Sequence, residues 1–379
     1  MKQKRTFAFI FLFQVLTFKG YSQVDNQALQ RNIHILEKDT NKLFFSFYNL
    51  NFLKNNEYFD KIASGYTLFG SNTNSRFSYV FNPYTRIEAG IFLRKDFGNP
   101  NFTIIAPTLT LKLQKNGYSF LFGNLESSLS HQLIEPLFNY ERVINNPLEN
   151  GLQIKVDKQK IWLDAWIDWE QQEYQNSPFQ EHIGASLSSL ITLFKSDKNF
   201  KIQIPVQAII YHNGGQIDAD TSALVSLGNV ASGIILERSF NKTAFIRDIK
   251  GDYYWVGYKD LTSYNKQLFK MGNGNYINLT IKSKYDVSLM LSYWESNDFI
   301  APHGGFLYQS ISSLYGKTDY TENVRKLIFA RLLYKLEIFK GLFLDVRFEP
   351  YYDINHKMLE YSYSVYTSFT RDFLVKNFK

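Results

Sequence analysis

Between Lys160 and Glu170 the chain reads KIWLDAWIDWE, with Ile161, Leu163, Ala165, Ile167 and Trp169 alternating against Trp162, Asp164, Trp166, Asp168 and Glu170. Successive side chains of a strand point to opposite faces, so the stretch predicts a strand with one apolar face and one acidic, aromatic face. The same period recurs along the chain. Tyr84 to Lys95 sets Ile87, Ala89, Ile91 and Leu93 against Arg86, Glu88 and Arg94, and Thr108 to Gln114 sets three leucines against a face carrying Lys112. Phe200 to Tyr211, Gly274 to Lys284, Tyr285 to Glu295 and Leu342 to Tyr352 place Lys201, Lys282, Asp286, and Asp345, Arg347 and Glu349 on their polar faces.

Gly151 to Asp157 and Met358 to Thr370 also alternate cleanly, whereas Leu43 to Leu53, Ile62 to Gly70, Arg76 to Asn82, Ala223 to Ser239 and Thr243 to Lys259 do so less sharply. Lys54-Asn55-Asn56-Glu57 reads as a polar loop, and Lys115-Asn116-Gly117 as a tight hairpin turn. Two connections are long, 126–150 and 296–323, and long loops in compact domains are usually functional. The pattern predicts an all-β fold, a closed antiparallel transmembrane β-barrel of about 16 strands with a range of 14 to 18, because repeated two-faced strands need two different solvents. Short and long connections alternate, and Trp169, Tyr351, Tyr352 and Phe373 sit near strand ends, where an interfacial girdle belongs.

The first 22 residues read as an export signal: Lys2, Lys4 and Arg5, an apolar run from Phe7 to Phe18, then Gly20-Tyr21-Ser22 as a cleavage site. Residues 23–42 read as a polar tail or short helix and 43–379 as the barrel. Beyond the signal, no uncharged apolar run reaches the roughly 18 residues of a membrane-spanning helix. The formal charge of +7 falls to +3 without the signal, 38 basic against 35 acidic residues, too small an excess to argue for nucleic acid. Aromatic residues make up 17% of the chain, which suits lipid-facing strands, and there is no cysteine for disulfides or a lipid anchor.

With its signal, cysteine-free body, alternating strands and an aromatic residue near the end, the chain resembles Gram-negative outer-membrane β-barrel proteins. GYTLFG, LIEPLFNYER, NPLENG, HNGGQID and RFEPYYD are similar to segments of an uncharacterised porin-like barrel family. The resemblance implies an outer-membrane location and a barrel, with no assigned chemistry. Such barrels often end in Phe, whereas here Lys379 follows Phe378.

If the polar faces line a lumen, Arg86, Glu88, Arg94, Lys112, Trp162, Asp164, Trp166, Asp168, Glu170, Lys201, Lys282, Asp286, Asp345, Arg347 and Glu349 surround it, and rings of opposed charge order polar solutes. His131, Glu135, Glu141 and Arg142 of the first long loop are candidates to constrict it. The expected function is a porin-like channel for passive diffusion of small polar solutes, sugars among them, with outer-membrane lipid as surroundings and no enzymatic activity. The alternative is a non-conducting barrel that binds a polysaccharide or protein, and a lesser one is a barrel hydrolase, for which Ser128 or Ser130 beside His131 would be the nucleophile. His212 with Asp218 and Asp220, and His303 before Gly304-Gly305, lack a recognised metal spacing, so neither metal nor cofactor is expected.

Overall fold

The period-two alternation becomes sixteen strands in the computed structural model, which describes residue 26 and residues 29–126, 128–196, 199–215, 223–241, 243–263, 267–317 and 319–378. The export signal read over 1–22, and Asp218 and Asp220, lie outside the described residues. The strands are β1 (Lys42–Glu57), β2 (Tyr66–Asn82), β3 (Thr85–Asp96), β4 (Ile104–Lys115), β5 (Tyr118–Asn124), β6 (Asn150–Asp157), β7 (Ile161–Gln171) and β8 (Glu181–Lys195). Then follow β9 (Phe200–Gly214), β10 (Val225–Ser239), β11 (Ile246–Asp260), β12 (Met271–Ser283), β13 (Val287–Asn297), β14 (Val324–Phe339), β15 (Leu342–Asp353) and β16 (Met358–Asn377). Each pairs antiparallel with its chain neighbours, and β1 pairs with β16 from Lys42↔Asn377 to Glu57↔Tyr361. The fold is a closed antiparallel sixteen-stranded barrel. Closure matters physically, because an open sheet edge in hydrocarbon would leave backbone groups unpaired.

Connections after even-numbered strands are short turns, and β1 starts and β16 ends at that same end; the opposite end carries the long loops 125–149 and 298–323. In outer-membrane barrels the short turns are periplasmic and the long loops extracellular. Outward positions are apolar on most strands, for example Ile277 and Leu279 of β12 and Leu289 and Leu291 of β13.

Two expected strands prove to be one. Ile62 to Gly70 and Arg76 to Asn82 were separated by Ser71-Asn72-Thr73-Asn74-Ser75, but β2 runs unbroken through this polar stretch for 17 residues. Asn72, Asn74 and Arg76 turn into the interior while Ser71, Thr73 and Ser75 face outward, so both faces are polar and the composition mimics a loop. Likewise Lys54-Asn55-Asn56-Glu57 ends β1 rather than forming a loop, with Lys54 and Asn56 buried inward.

The interior is packed along β1 to β7. Residues 29–36 enter it from the turn end: Lys112 Nζ donates to the Ile33 carbonyl at 2.6 Å and Arg86 Nη1 to the His34 carbonyl at 2.9 Å. Loop 125–149 and the first part of loop 298–323 fold in from the other end and meet residues 29–36, where Gln30 Nε2 donates to the Leu129 carbonyl at 2.7 Å. Leu133, Ile134, Leu137 and Phe138 of one loop and Phe299, Ile300 and Leu307 of the other join inward side chains such as Tyr254, Trp294 and Phe329 in one apolar core. At the turn end of β8 to β15 two cavities remain, of about 590 and 410 Å³, lined by charged side chains.

Candidate active site

The polar face of β7 forms a ladder up the inner wall, and loop 125–149 packs its chemistry against it. His131, in a single 3₁₀ turn (Ser128–His131), stacks on Trp166 with ring centroids 3.6 Å apart and an interplanar angle of 6°. Its Nδ1 lies 3.0 Å from Asp164 Oδ2 and its Nε2 2.7 Å from Glu149 Oε2. Burial by itself would lower the His131 pKa, but these two carboxylates outweigh it and raise it to about 9, so the ring is an imidazolium at neutral pH. Gln153 Nε2 completes the setting by donating to Asp164 at 2.9 Å. Ser130 turns its hydroxyl to the Glu126 carbonyl at 3.1 Å rather than to His131.

Farther toward the loop end, Asp168 Oδ1 accepts the Asn150 N–H at 2.8 Å, and Arg142 Nη2 reaches Glu170 Oε1 at 2.7 Å. Arg142 begins a one-turn helix (Arg142–Asn145), and its guanidinium lies over the Phe138 ring. The second long loop supplies His303, whose Nε2 is 3.1 Å from Glu170 Oε1. Its ring meets Phe138 edge-on at 5.9 Å and Tyr211 at 5.3 Å, and its carbonyl accepts the Asn139 N–H at 2.6 Å, tying the two loops together. Gly184 makes room for this ring, since a Cβ there would sit 3.4 Å from His303 Cε1. Arg142, Glu170 and Tyr211 are only half-buried, so this end of the ladder is open where His131 is sealed.

Around the ladder the charges pair off. Glu88, fully buried, takes Arg31 at 2.7 Å, Arg86 at 2.8 Å and Arg76 at 3.1 Å. Glu126 takes Lys112 and Lys155, each at 2.6 Å; burial would raise its pKa, but the two ammonium groups hold it well below the usual carboxylate range. Arg94 pairs with Asp96 and donates to the Ile144 carbonyl at 2.9 Å, and Arg347 pairs with Asp345 at 2.7 Å. Under the loops, Lys54 lies 3.3 Å from Glu141 and 3.5 Å from Glu349, while Arg331 bridges Glu349 at 3.3 Å and Glu135 at 2.5 Å. These groups enclose a cavity of about 50 Å³, room for water only.

The structure thus brings Asp164, Asp168 and Glu170 together with His131 and Arg142, and puts Glu135, Glu141 and Glu349 in a second group. Trp162 is half-buried beside the core. Lys201 pairs with Glu237 at 2.9 Å, and it and Lys282 line the turn-end cavities, far along the wall from the ladder. Asp286 sits in the exposed β12–β13 turn, 3.3 Å from Arg247, rather than on a strand wall. Sequence reasoning missed Glu149, Lys54 and Arg331; it read residues 23–42 as a polar tail or short helix, of which 30–36 run without helix inside the barrel, and it set His303 aside as turn chemistry for want of a metal spacing. Among the described residues Glu322, Asp353 and His356 bring potential metal-ligand atoms within 4.8 Å of one another, but Glu322 and Asp353 already hold Arg325, at 2.7 and 3.1 Å.

A family model described as lipid A 3'-O-deacylase-type matches residues 35–378. No curated protein sequence matches the chain. Among solved structures, a loop-deletion mutant of the Vibrio cholerae outer-membrane protein OmpT superposes with a TM-score of 0.52 and 11% identity, over 87% of this chain and 100% of that one. In-vitro folded OmpT in its trimer form gives 0.51 and 10%, over 87% and 100%. OccAB2 of Acinetobacter baumannii gives 0.50 and 11%, over 88% and 99%. At such identities these likenesses speak for the fold alone. The family match overturns two expectations, a passive porin-like diffusion channel and a chain without enzymatic activity. The interior supplies the physical reason: many of the charges expected to face open water pair with each other, with residues 29–36 or with the inserted loops.

Proposed function

Because the chain belongs to the lipid A 3'-O-deacylase-type family, we propose that it is an outer-membrane hydrolase that removes an ester-linked acyl chain from a glycolipid of the lipid A class. The observation that carries the placement of the chemistry is the His303–Glu170 pair, 3.1 Å apart, in which a buried His303 meets a half-buried Glu170 near the long-loop end, the end at which an outer-leaflet lipid presents its sugars. The Glu170 carboxylate beside Nε2 is placed to stabilise the charged ring, and the other ring nitrogen takes a proton from water. The resulting hydroxide adds to the ester carbonyl carbon. Collapse of the tetrahedral intermediate breaks the bond to the sugar oxygen, which leaves with the proton from His303, and the acyl chain departs as a fatty acid. Arg142 is the cation placed to meet the oxyanion, and it is fixed by Glu170 and Phe138. His131, sealed between two carboxylates, is a positioning residue for β7.

The test is incubation of the purified barrel with lipid A in mixed micelles, read by mass spectrometry for loss of one acyl chain and appearance of the free fatty acid. Wild-type protein cleaves, whereas His303→Ala and Glu170→Gln lose about 10²- to 10⁴-fold in rate while still migrating as heat-modifiable barrels. Intact lipid A after incubation with the wild type would sink the activity. Full activity in His303→Ala would sink the placement.

A further inference from the structure

We propose that this barrel pairs with a second copy of itself through a polar patch on its lipid-facing wall, centred on Asn49 and Asn51 of β1. Both asparagines point outward, near the middle of the sixteen residues of that strand. Asn49 Nδ2 donates to Ser71 Oγ at 2.9 Å and to Thr73 Oγ1 at 3.0 Å on β2. Asn51 Nδ2 donates to Asn49 Oδ1 at 2.8 Å and to Thr367 Oγ1 at 3.0 Å on β16. The patch therefore crosses three adjacent strands, at the seam where the barrel closes.

Its depth is fixed by what brackets it. Toward the turn end lie the aromatic contacts Phe45–Phe77 and Phe47–Phe369, with centroids 5.7 and 6.1 Å apart, and toward the loop end Phe69–Phe97 at 4.8 Å. Aromatic side chains on both sides place the amides within the apolar band rather than above it. Elsewhere the outward wall is mostly apolar, as at Leu279, Leu291 and Phe348. Amide and hydroxyl groups facing acyl chains cost free energy unless they find partners, and acyl chains offer none.

The patch carries no charge, so it does not select a charged partner. Its groups are each both donor and acceptor: with both Asn51 amide protons spent on the wall, the carbonyl oxygen is what that residue offers outward, and the hydroxyls of Ser71, Thr73 and Thr367 offer protons. Such a set is complementary to itself about a two-fold axis, the geometry of an isologous dimer, and small polar side chains hydrogen-bonding across an interface are the usual adhesive between membrane segments.

The chain has no cysteine, which makes the test direct. Asn51→Cys and Thr73→Cys are introduced singly into the full-length protein, with Leu279→Cys as a control elsewhere on the wall. Outer membranes are then oxidised and run without reductant. The expected result is a disulfide-linked dimer from the two patch positions and not from the control. Native mass spectrometry in detergent then shows dimer for the wild type and monomer for Asn49→Leu/Asn51→Leu, whose heat-modifiable migration reports an intact barrel. Patch cysteines that react with a maleimide yet never cross-link overturn the proposal. So do dimers formed equally at Leu279→Cys, or adducts of the patch with a different membrane protein.

Discussion

The imidazole of His131 lies flat on the indole of Trp166, 3.6 Å between centroids, although one comes from an inserted loop and the other from the barrel wall. The carboxylates of Asp164 and Glu149 close both ends of the ring, so loop and wall are joined by a buried cation held between two anions. Its folded pKa, about 9, stands above that of free imidazole, so folding favours the protonated ring. The stabilisation is complete below about pH 6.5 and is lost as pH rises through 9. Urea unfolding of the wild type should therefore show stability falling by about 3 kcal/mol across that window. His131→Gln should flatten the dependence; an unchanged pH profile in that variant would show that another group is responsible.

Glu88 is the anion that three arginines share, and it has no access to water. Glu88→Gln keeps the shape and removes the charge, leaving Arg31, Arg76 and Arg86 facing one another. Breaking a buried ionic group in this way costs about 3–5 kcal/mol, read as a lower urea midpoint for loss of the heat-modifiable band. Arg31→Ala in the same background should recover part of the loss, because one repelling cation is gone.

Gly184 leaves the space into which His303 fits. Gly184→Leu should displace the imidazole from Glu170 and reduce deacylation about 10²-fold, with little change in unfolding midpoint, since the added side chain replaces ring contacts with aliphatic ones. Gly184→Ala, whose Cβ makes an ordinary contact, should stay near wild type.

Gly123 faces Gly151 across β5 and β6 at the root of loop 125–149 and has φ +96°. A Cβ there would lie 2.2 Å from the Leu109 carbonyl oxygen. Gly123→Ala should destabilise the barrel by about 1–3 kcal/mol, whereas Gly98→Ala, also at positive φ but with nothing within 4 Å, should lose only the backbone part of that penalty. Comparing the two unfolding midpoints separates steric clash from conformational strain.

Strand pattern was legible wherever the outer face is aliphatic and the inner face charged, as on β3, β7 and β15. It blurred where that contrast fails. On β10 and β11 the inward residues Leu227, Ile235, Tyr254 and Val256 are themselves apolar because the loops build a core against them, and on β2 both faces are polar. The ladder of Asp164, Asp168 and Glu170 could be read from spacing alone. Its partners could not: His131 and His303 reach it from loops whose path depends on packing, and Glu170 and His303 are far apart in the chain. A charged residue facing inward looks the same in sequence whether it borders a cavity, as Lys201 does, or an inserted segment, as Glu88 does where Arg31 reaches it.

The two longest loops have turned into the barrel, and this changes what an antibody or a phage tail would meet from outside the cell. In loop 125–149 Asn146 alone is exposed among the described residues, and in loop 298–323 the stretch around Tyr315 carries most of the exposure. The visible surface falls instead to short connections, to residues 97–103, exposed throughout, and to Phe59 and Tyr174. A particle too large to enter the barrel therefore meets those tips, while the two folded-in loops are largely screened from it.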